Sequence, residues 1–305
     1  MKLSSFISKK NIRHKRKFSA NERKSLISWL FLLPSLLGVF LFFVAPFCVV
    51  IYYSFINNPI QKIFVGFDNF VNVWNNSAFR LAGLNTIKFS FTAVPLAVLF
   101  SLFLAVVMES RIPFKSYFRS FFLSPLMVPT ASIVLIWQVM FHYNGIVNKF
   151  LMIFGQDKID WFKSDQARIV IVLLFLWKNL GYNMILFMSA LSSIPKDLLE
   201  VAALENANKF QVFWYIKIRY MSSTILFVTI MSLINSFKVF REVYLMTGDY
   251  PYDSLYMLQH FMNNTFASLD YQKLSAAAII MFIVVSGLVY VMYRAENRYG
   301  KDIEG

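Results

Sequence analysis

The chain offers little material for covalent chemistry. None of its ten glycines stands in a GxxxxGK[ST] arrangement, so no loop is built to cradle the phosphates of a nucleotide. His14, His142 and His260 lack the HExxH spacing of zinc hydrolases, and no nucleophile elbow is present. No catalytic residue, metal ligand or cofactor is expected, and any ATP would have to be bound elsewhere. The lone Cys48 has no disulfide or metal partner and reads as a small apolar filler. What the sequence does supply is hydrogen-bonding side chains within apolar segments. Lys178, Asn179 and Tyr182 share part of one helix face, and Ser232, Asn235, Ser236 and Val239 follow at i, i+3, i+4 and i+7. Such groups are costly in lipid and by default face a bundle interior or a wet cavity, so the two stripes together would line a polar cavity. The alternative is that Ser232, Asn235 and Ser236 only hydrogen-bond a neighbouring helix. Lys238, Arg241 and Glu242, near the end of the same segment, read as snorkelling or paired.

The elements that must position these groups are membrane spans. Of the 305 residues 58% are hydrophobic and 18% aromatic, with a mean hydropathy of +0.56, against about 45–50% apolar residues in an ordinary soluble domain. A hydrocarbon core about 30 Å thick needs about 20 mostly apolar residues per helix. Six segments qualify, over residues 26–53, 85–108, 118–141, 168–191, 223–246 and 274–293, so the expected fold class is an all-α polytopic membrane protein. The net charge of +14 does not imply nucleic acid, because the basic residues sit in tails and at segment ends rather than on one polar face. Lys2, Lys9, Lys10, Arg13, Lys15, Arg16, Lys17, Arg23 and Lys24 precede the first span and put that end inside. Alternation then places the basic groups Arg111, Lys115 and Arg119, then Lys196, Lys209, Lys217 and Arg219, then Arg294, Arg298 and Lys301 on the same side. Both termini, the tails 1–25 and 294–305, are therefore expected in the cytoplasm.

Two outer loops carry structure of their own. Gly66, Phe67, Phe70 and Trp74 predict a short interfacial helix within 54–84, and Gly145, Gly155 and Trp161 predict a small folded cap within 142–167 that has no core of its own. The inner loop 194–219 is punctuated as a helical hairpin. Pro195 suits the first helical position after Ser193 or Ile194, Asp197 and Glu200 favour a helix start, and Asn206 suits the left-handed residue that ends a helix. A second amphipathic helix is predicted over 209–219. With Ala202, Ala203 and Ala207 smoothing its surface, the hairpin is either a docking element or a helix pair lying flat on the bilayer.

The run from Pro195 through Glu200, Ala202, Ala203, Glu205 and Asn206 to Ala207, with Phe213, Trp214 and Ile216 after it, resembles the EAA loop of binding-protein-dependent ABC importer permeases. Asn85-Thr86, Arg119, Pro125, Pro129, Trp137, Gly145, Asn148, Trp177, Gly181, Phe240, Tyr244, Thr247-Gly248 and Phe266 also stand where that family has them, so the likeness runs nearly the whole length. It is similar in particular to the sugar-permease branch with its maltose-type and glycerol-phosphate-type first subunits. Asn206 replaces a usual glycine, Val201 an alanine and Arg219 a proline. The last change lets the second helix run on towards the fifth span.

The resemblance implies the type I ABC importer permease fold, with 194–219 as the coupling helix seated in an ATPase subunit. Glu200 would pair a basic residue there, Ala202, Ala203, Glu205, Asn206 and Ala207 would shape the contact, and Phe210, Phe213 or Trp214 would anchor the loop to the bundle. Lys178, Asn179, Tyr182, Ser232, Asn235 and Ser236 align with sugar-holding positions. The implied partners are a second permease subunit, a cytoplasmic ATPase pair, an external solute-binding protein, a sugar and membrane lipid, all at a bacterial plasma membrane. The rival readings are a non-transporting scaffold or sensor using the hairpin for recruitment, and a secondary transporter, which the absence of paired repeats disfavours.

Overall fold

A computed structural model describes residues 20–110 and 113–299. Most of the basic N-terminal tail, with His14, lies outside the described residues, as do Arg111 and Lys301. The described residues are helical apart from loops and one isolated bridge between Ile56 and Phe64. Five helical stretches are long and apolar enough to cross a membrane, at Ser28–Ser54, Ser77–Glu109, Ala167–Ser192, Ser222–Thr247 and Tyr271–Ala295.

The first stretch belongs to a separate unit, Met1–Tyr52. It is built from α1 (Ala20–Val39), one π turn at Phe40–Val44 and α2 (Ala45–Ser54). The wide turn, closed by Ala45 N–H on the Phe40 carbonyl, falls just before Pro46, which has no N–H to give and crowds the carbonyl four residues back. From Trp29 to Val44 its residues are almost all apolar on every side of the helix, the pattern of a membrane span.

The second unit, Tyr53–Gly305, holds everything else. After the Ile56–Phe64 turn comes the predicted interfacial helix, α3 (Asp68–Asn75), beside a cluster of Phe55, Phe64, Phe67 and Phe70 rings. Asn76 then caps α4 (Ser77–Glu109), its side chain accepting the Phe79 N–H. At about 1.5 Å per residue α4 is about 50 Å long and starts two turns before the apolar segment read from sequence. Ala93, Ala97, Ser101 and Ala105 recur every fourth residue along it and are fully buried. Such a small-residue stripe lets α4 lie close against α8 (Ala167–Ser192), and Phe89 meets Phe175 edge to face at 5.5 Å.

The third span differs from its expectation. It is not one helix but a bent pair, α5 (Lys115–Met127) and α6 (Thr130–Met140), at 102° to each other. The cause is local: Pro129 forces Val128 into extended backbone and cannot continue the helix. Hydropathy runs unbroken across that point, so composition conceals the bend. Beyond it, α7 (Ile146–Ile153) forms the expected cap around fully buried Asn148, whose amide donates to the Tyr143 and Ile159 carbonyls and accepts from Ile159 N–H and the Trp161 indole. The cap does have an apolar centre, built with the bundle from Phe141, Trp161 and Val170.

The fifth span is also broken, into α12 (Ser222–Phe237) and α13 (Phe240–Thr247), with Lys238 and Val239 in a turn. A 3₁₀ turn at Asp253–Leu255 leads to α14 (Leu258–Ala267) and the last span, α15 (Tyr271–Tyr299). The loop between α13 and α14 is pinned to α4. Asn85 donates to the Asp253 and Tyr256 carbonyls and accepts from Arg168, and Thr86 accepts the Leu258 N–H at 2.9 Å.

Candidate functional site

A cavity of about 520 Å³ opens between the α5–α6 bend, the middle of α8, the α12–α13 break and α14. Leu126 and Thr130 come from the bend, Lys178 and Asn179 from α8, Asn235 and the run Lys238–Glu242 from the break, and Gln259 from α14. Two polar links cross it. Lys178 Nζ donates to Glu242 Oε1, and Asn235 Nδ2 donates to Asn179 Oδ1 at 3.0 Å, whose own amide is fixed on the Phe175 carbonyl. The expected pairing of Glu242 is thus with Lys178.

Three of the six residues assigned from sequence, Lys178, Asn179 and Asn235, line this cavity, and three do not. Ser232 is buried and accepts from Asn183 Nδ2 at 3.0 Å, tying α12 to α8. Ser236 is buried and shares a 2.7 Å hydrogen bond with Ser90, tying α12 to α4. For these two the alternative reading holds: small hydroxyls joining neighbouring helices. Tyr182 is 40% exposed and stands away from the cavity. Beside it, at Gly181, the α5 backbone at Phe122 presses onto α8 so closely that a Cβ would sit 1.9 Å from the Phe122 carbonyl oxygen. Lys238, Arg241 and Glu242, read from sequence as snorkelling or paired, also stand in this wall, and Thr130 and Gln259 join them without having been singled out.

The α14 wall is fixed by His260, which is fully buried beside Gln259. Its Nδ1 accepts the Met257 N–H, closing the start of α14, and its ring lies edge to face with Phe240 at 4.6 Å. Burial pushes the imidazole down to about 4 from an ordinary 6.5. The folded state therefore binds fewer protons than the unfolded one, so its contribution is complete above pH 6.5 and is lost as the pH falls towards 4. Thermal unfolding of the detergent-solubilised protein should show a wild-type midpoint that drops between pH 6.5 and 4 more steeply than that of His260→Gln. Parallel curves would contradict this.

The second site is the hairpin after α8. Its first helix, α9 (Lys196–Leu204), starts one residue later than read from sequence, with Pro195 as its cap. It ends as expected: Asn206 is left-handed at φ +57°, Ala207 N–H bonds the Ala202 carbonyl and Asn206 N–H the Ala203 carbonyl, the paired closure of a Schellman motif. Asn208 and Gln211 then cap α10 (Lys209–Gln211) reciprocally, and a π turn at Val212–Lys217 and α11 (Ile218–Tyr220) carry the chain to Met221 and α12. The second helix does run on to the fifth span. Ala202 is buried, while Glu200, Ala203, Glu205 and Asn206 are exposed and Ala207 is half-buried.

The anchoring expected of Phe210 and Trp214 is not seen, since they are 71% and 50% exposed; Phe213 is half-buried. Ile194, Leu199, Ile216 and Met221 pack the hairpin onto the bundle instead. Lys217 adds an ion pair of 2.5 Å to Glu109 at the end of α4.

A cavity with polar side chains in its wall thus opens among helices of membrane-spanning length, and a capped hairpin follows one of them, the arrangement of a multi-pass membrane protein. Residues 93–298 match the family described as binding-protein-dependent transport system inner membrane component, and the chain belongs to that family. It is similar to the sn-glycerol-3-phosphate transport system permease protein UgpA of Pectobacterium atrosepticum, 28% identical over 90% of this chain and 96% of that one. It is also similar to the trehalose/maltose transport system permease protein MalF of Thermococcus litoralis, 27% identical over 92% and 96%. Among solved structures, a chain of a bacterial ABC transporter involved in the import of the acidic polysaccharide alginate superposes with a TM-score of 0.79 at 18% identity, covering 91% of this chain and 97% of that one. The architecture is that of the type I importer permease, as the resemblance implied.

Proposed function

We propose that the chain is the permease subunit through which an ATP-driven importer passes a carbohydrate by alternating access. The observation that carries this reading is the cavity at the two helix breaks, where Lys178, Asn179, Asn235, Glu242, Thr130 and Gln259 offer amides, a hydroxyl and charges to a hydroxylated ligand. A scaffold or sensor would need no such cavity. The names of the relatives, a glycerol-phosphate and a trehalose/maltose permease, support the substrate class.

In this reading a second permease subunit completes the pathway, and a cytoplasmic ATPase pair binds the ATP. One ATPase seats the hairpin through Glu200, with Ala202, Ala203, Glu205, Asn206 and Ala207 shaping the contact. An external solute-binding protein delivers the sugar to the outer loops 54–84 and 247–272. Residues 26–293 form the membrane domain, the tails 1–25 and 294–305 are cytoplasmic, and the membrane is a bacterial plasma membrane. Lys178, Asn179 and Asn235 contact substrate. Closure of the ATPases pulls the hairpin, and the pull reaches α4 through Lys217 and Glu109 and α12 through the near-continuous helix.

The test is uptake of labelled carbohydrate by vesicles reconstituted with the permease pair, the ATPases and the binding protein. Uptake should need all of them and ATP. Equal uptake by vesicles lacking the ATPases would sink the proposal.

A further inference from the structure

We infer that the cargo of this cavity is an anionic carbohydrate, and that Lys238 and Arg241 take its carboxylate or phosphate group. This rests on the permease reading above and adds the charge class of the substrate.

Four ionisable side chains line the cavity: Lys178, Lys238 and Arg241 are basic, and Glu242 alone is acidic. Glu242 is buried and spent on Lys178, so that pair is neutral as a unit. Lys238 and Arg241 are exposed on the wall, and no described carboxylate pairs with either. The wall therefore carries two cations in excess. Both are placed at the α12–α13 break, where the helix yields for the turn Lys238–Val239 and Arg241 N–H reaches back only three residues, to the Lys238 carbonyl. A regular helix would set residues 238 and 241 close to one face as well, but the break brings Arg241 and Glu242 to the same opening.

A neutral sugar would make little use of these two charges, because amides and hydroxyls already satisfy its hydroxyl groups. Asn179, Asn235, Thr130 and Gln259 supply those here. An anion changes the balance: a guanidinium meets a carboxylate or phosphate through two parallel bonds and an ammonium adds a point charge, each stronger than a neutral hydrogen bond. The wall thus combines the Lys178–Glu242 and Asn179–Asn235 links, suited to the sugar ring, with two unpaired cations suited to its acid group. A volume of about 520 Å³ falls in the range of small-molecule sites.

The experiment uses the complete transporter in vesicles with three labelled probes: a hexuronate disaccharide, a hexose phosphate and a neutral disaccharide. Uptake of one or both acidic probes is expected, with Lys238→Gln and Arg241→Gln each raising its KM about tenfold or more, the loss of one charge-assisted hydrogen bond. Lys238→Arg should restore most of it. Whether the carboxylate or the phosphate probe responds identifies the acid group. Wild-type uptake of the neutral disaccharide alone would overturn the inference and leave the permease reading intact. Uptake of an acidic probe with an unchanged KM in both glutamine variants would overturn the assignment to Lys238 and Arg241. ATP-driven uptake of no carbohydrate would remove the permease reading with it.

Discussion

Replacing Gly181 by alanine is expected to leave little folded protein. The added methyl would stand 1.9 Å from the Phe122 carbonyl oxygen and 2.5 Å from its carbonyl carbon, both backbone atoms of α5 that cannot rotate away. The helices would have to part by more than an ångström at this crossing. Overpacking in a core costs about 1–3 kcal/mol where side chains can adjust, and a backbone clash belongs at or above the top of that range. The yield of monodisperse protein from detergent should fall severalfold, and the material that remains should transport poorly. Gly83 is the control: it also lies in a helix, a methyl there meets nothing within 4 Å, and Gly83→Ala should behave as wild type or better. Equal yields of Gly181→Ala and Gly83→Ala would mean that α5 does not cross α8 at Gly181.

Glu200→Lys should act in the opposite way, sparing the fold and abolishing transport. Glu200 is exposed on α9 and has no ion-pair partner among the described residues, so its replacement removes nothing that holds the chain together. In the proposed complex it pairs a basic residue of the ATPase, and a lysine there sets like charge against like at a seated contact. Uptake should drop at least tenfold at unchanged expression, with the ATPase co-purifying less well, and Glu200→Gln should lie between. Unchanged uptake and co-purification in Glu200→Lys would remove the coupling assignment.

Features controlled by a few neighbouring residues were legible in the sequence. The left-handed turn at Asn206 follows from one residue type at one helix end, and the bounds of α8 follow from hydropathy within a residue. The faces of the fifth span were not legible in the same way. Ser232, Asn235 and Ser236 have the same spacing whether they meet a cavity or a helix, and the choice is made by Asn183 and by Ser90, 146 residues away. The α5–α6 bend had its cause in view at Pro129, but the apolar run on both sides hid it. Asn148 stood out only as a position shared with the resembled family, and its role in holding the cap was not legible, because its partners at 143, 159 and 161 become neighbours only once the cap folds. The resemblance implied Phe210, Phe213 or Trp214 as the anchor; Phe213 is half-buried and the other two exposed, while Leu199 and Ile216 pack against the bundle.

The central proposal is that ATP acts on the face bearing the hairpin while carbohydrate arrives from the other. It is tested most directly in vesicles of known orientation, with labelled carbohydrate and binding protein on one side and ATP on one side at a time. Uptake is expected only when ATP is on the side of the Glu200 loop and the binding protein is opposite. Uptake that proceeds with both on the same side, or with no ATP at all, would contradict it.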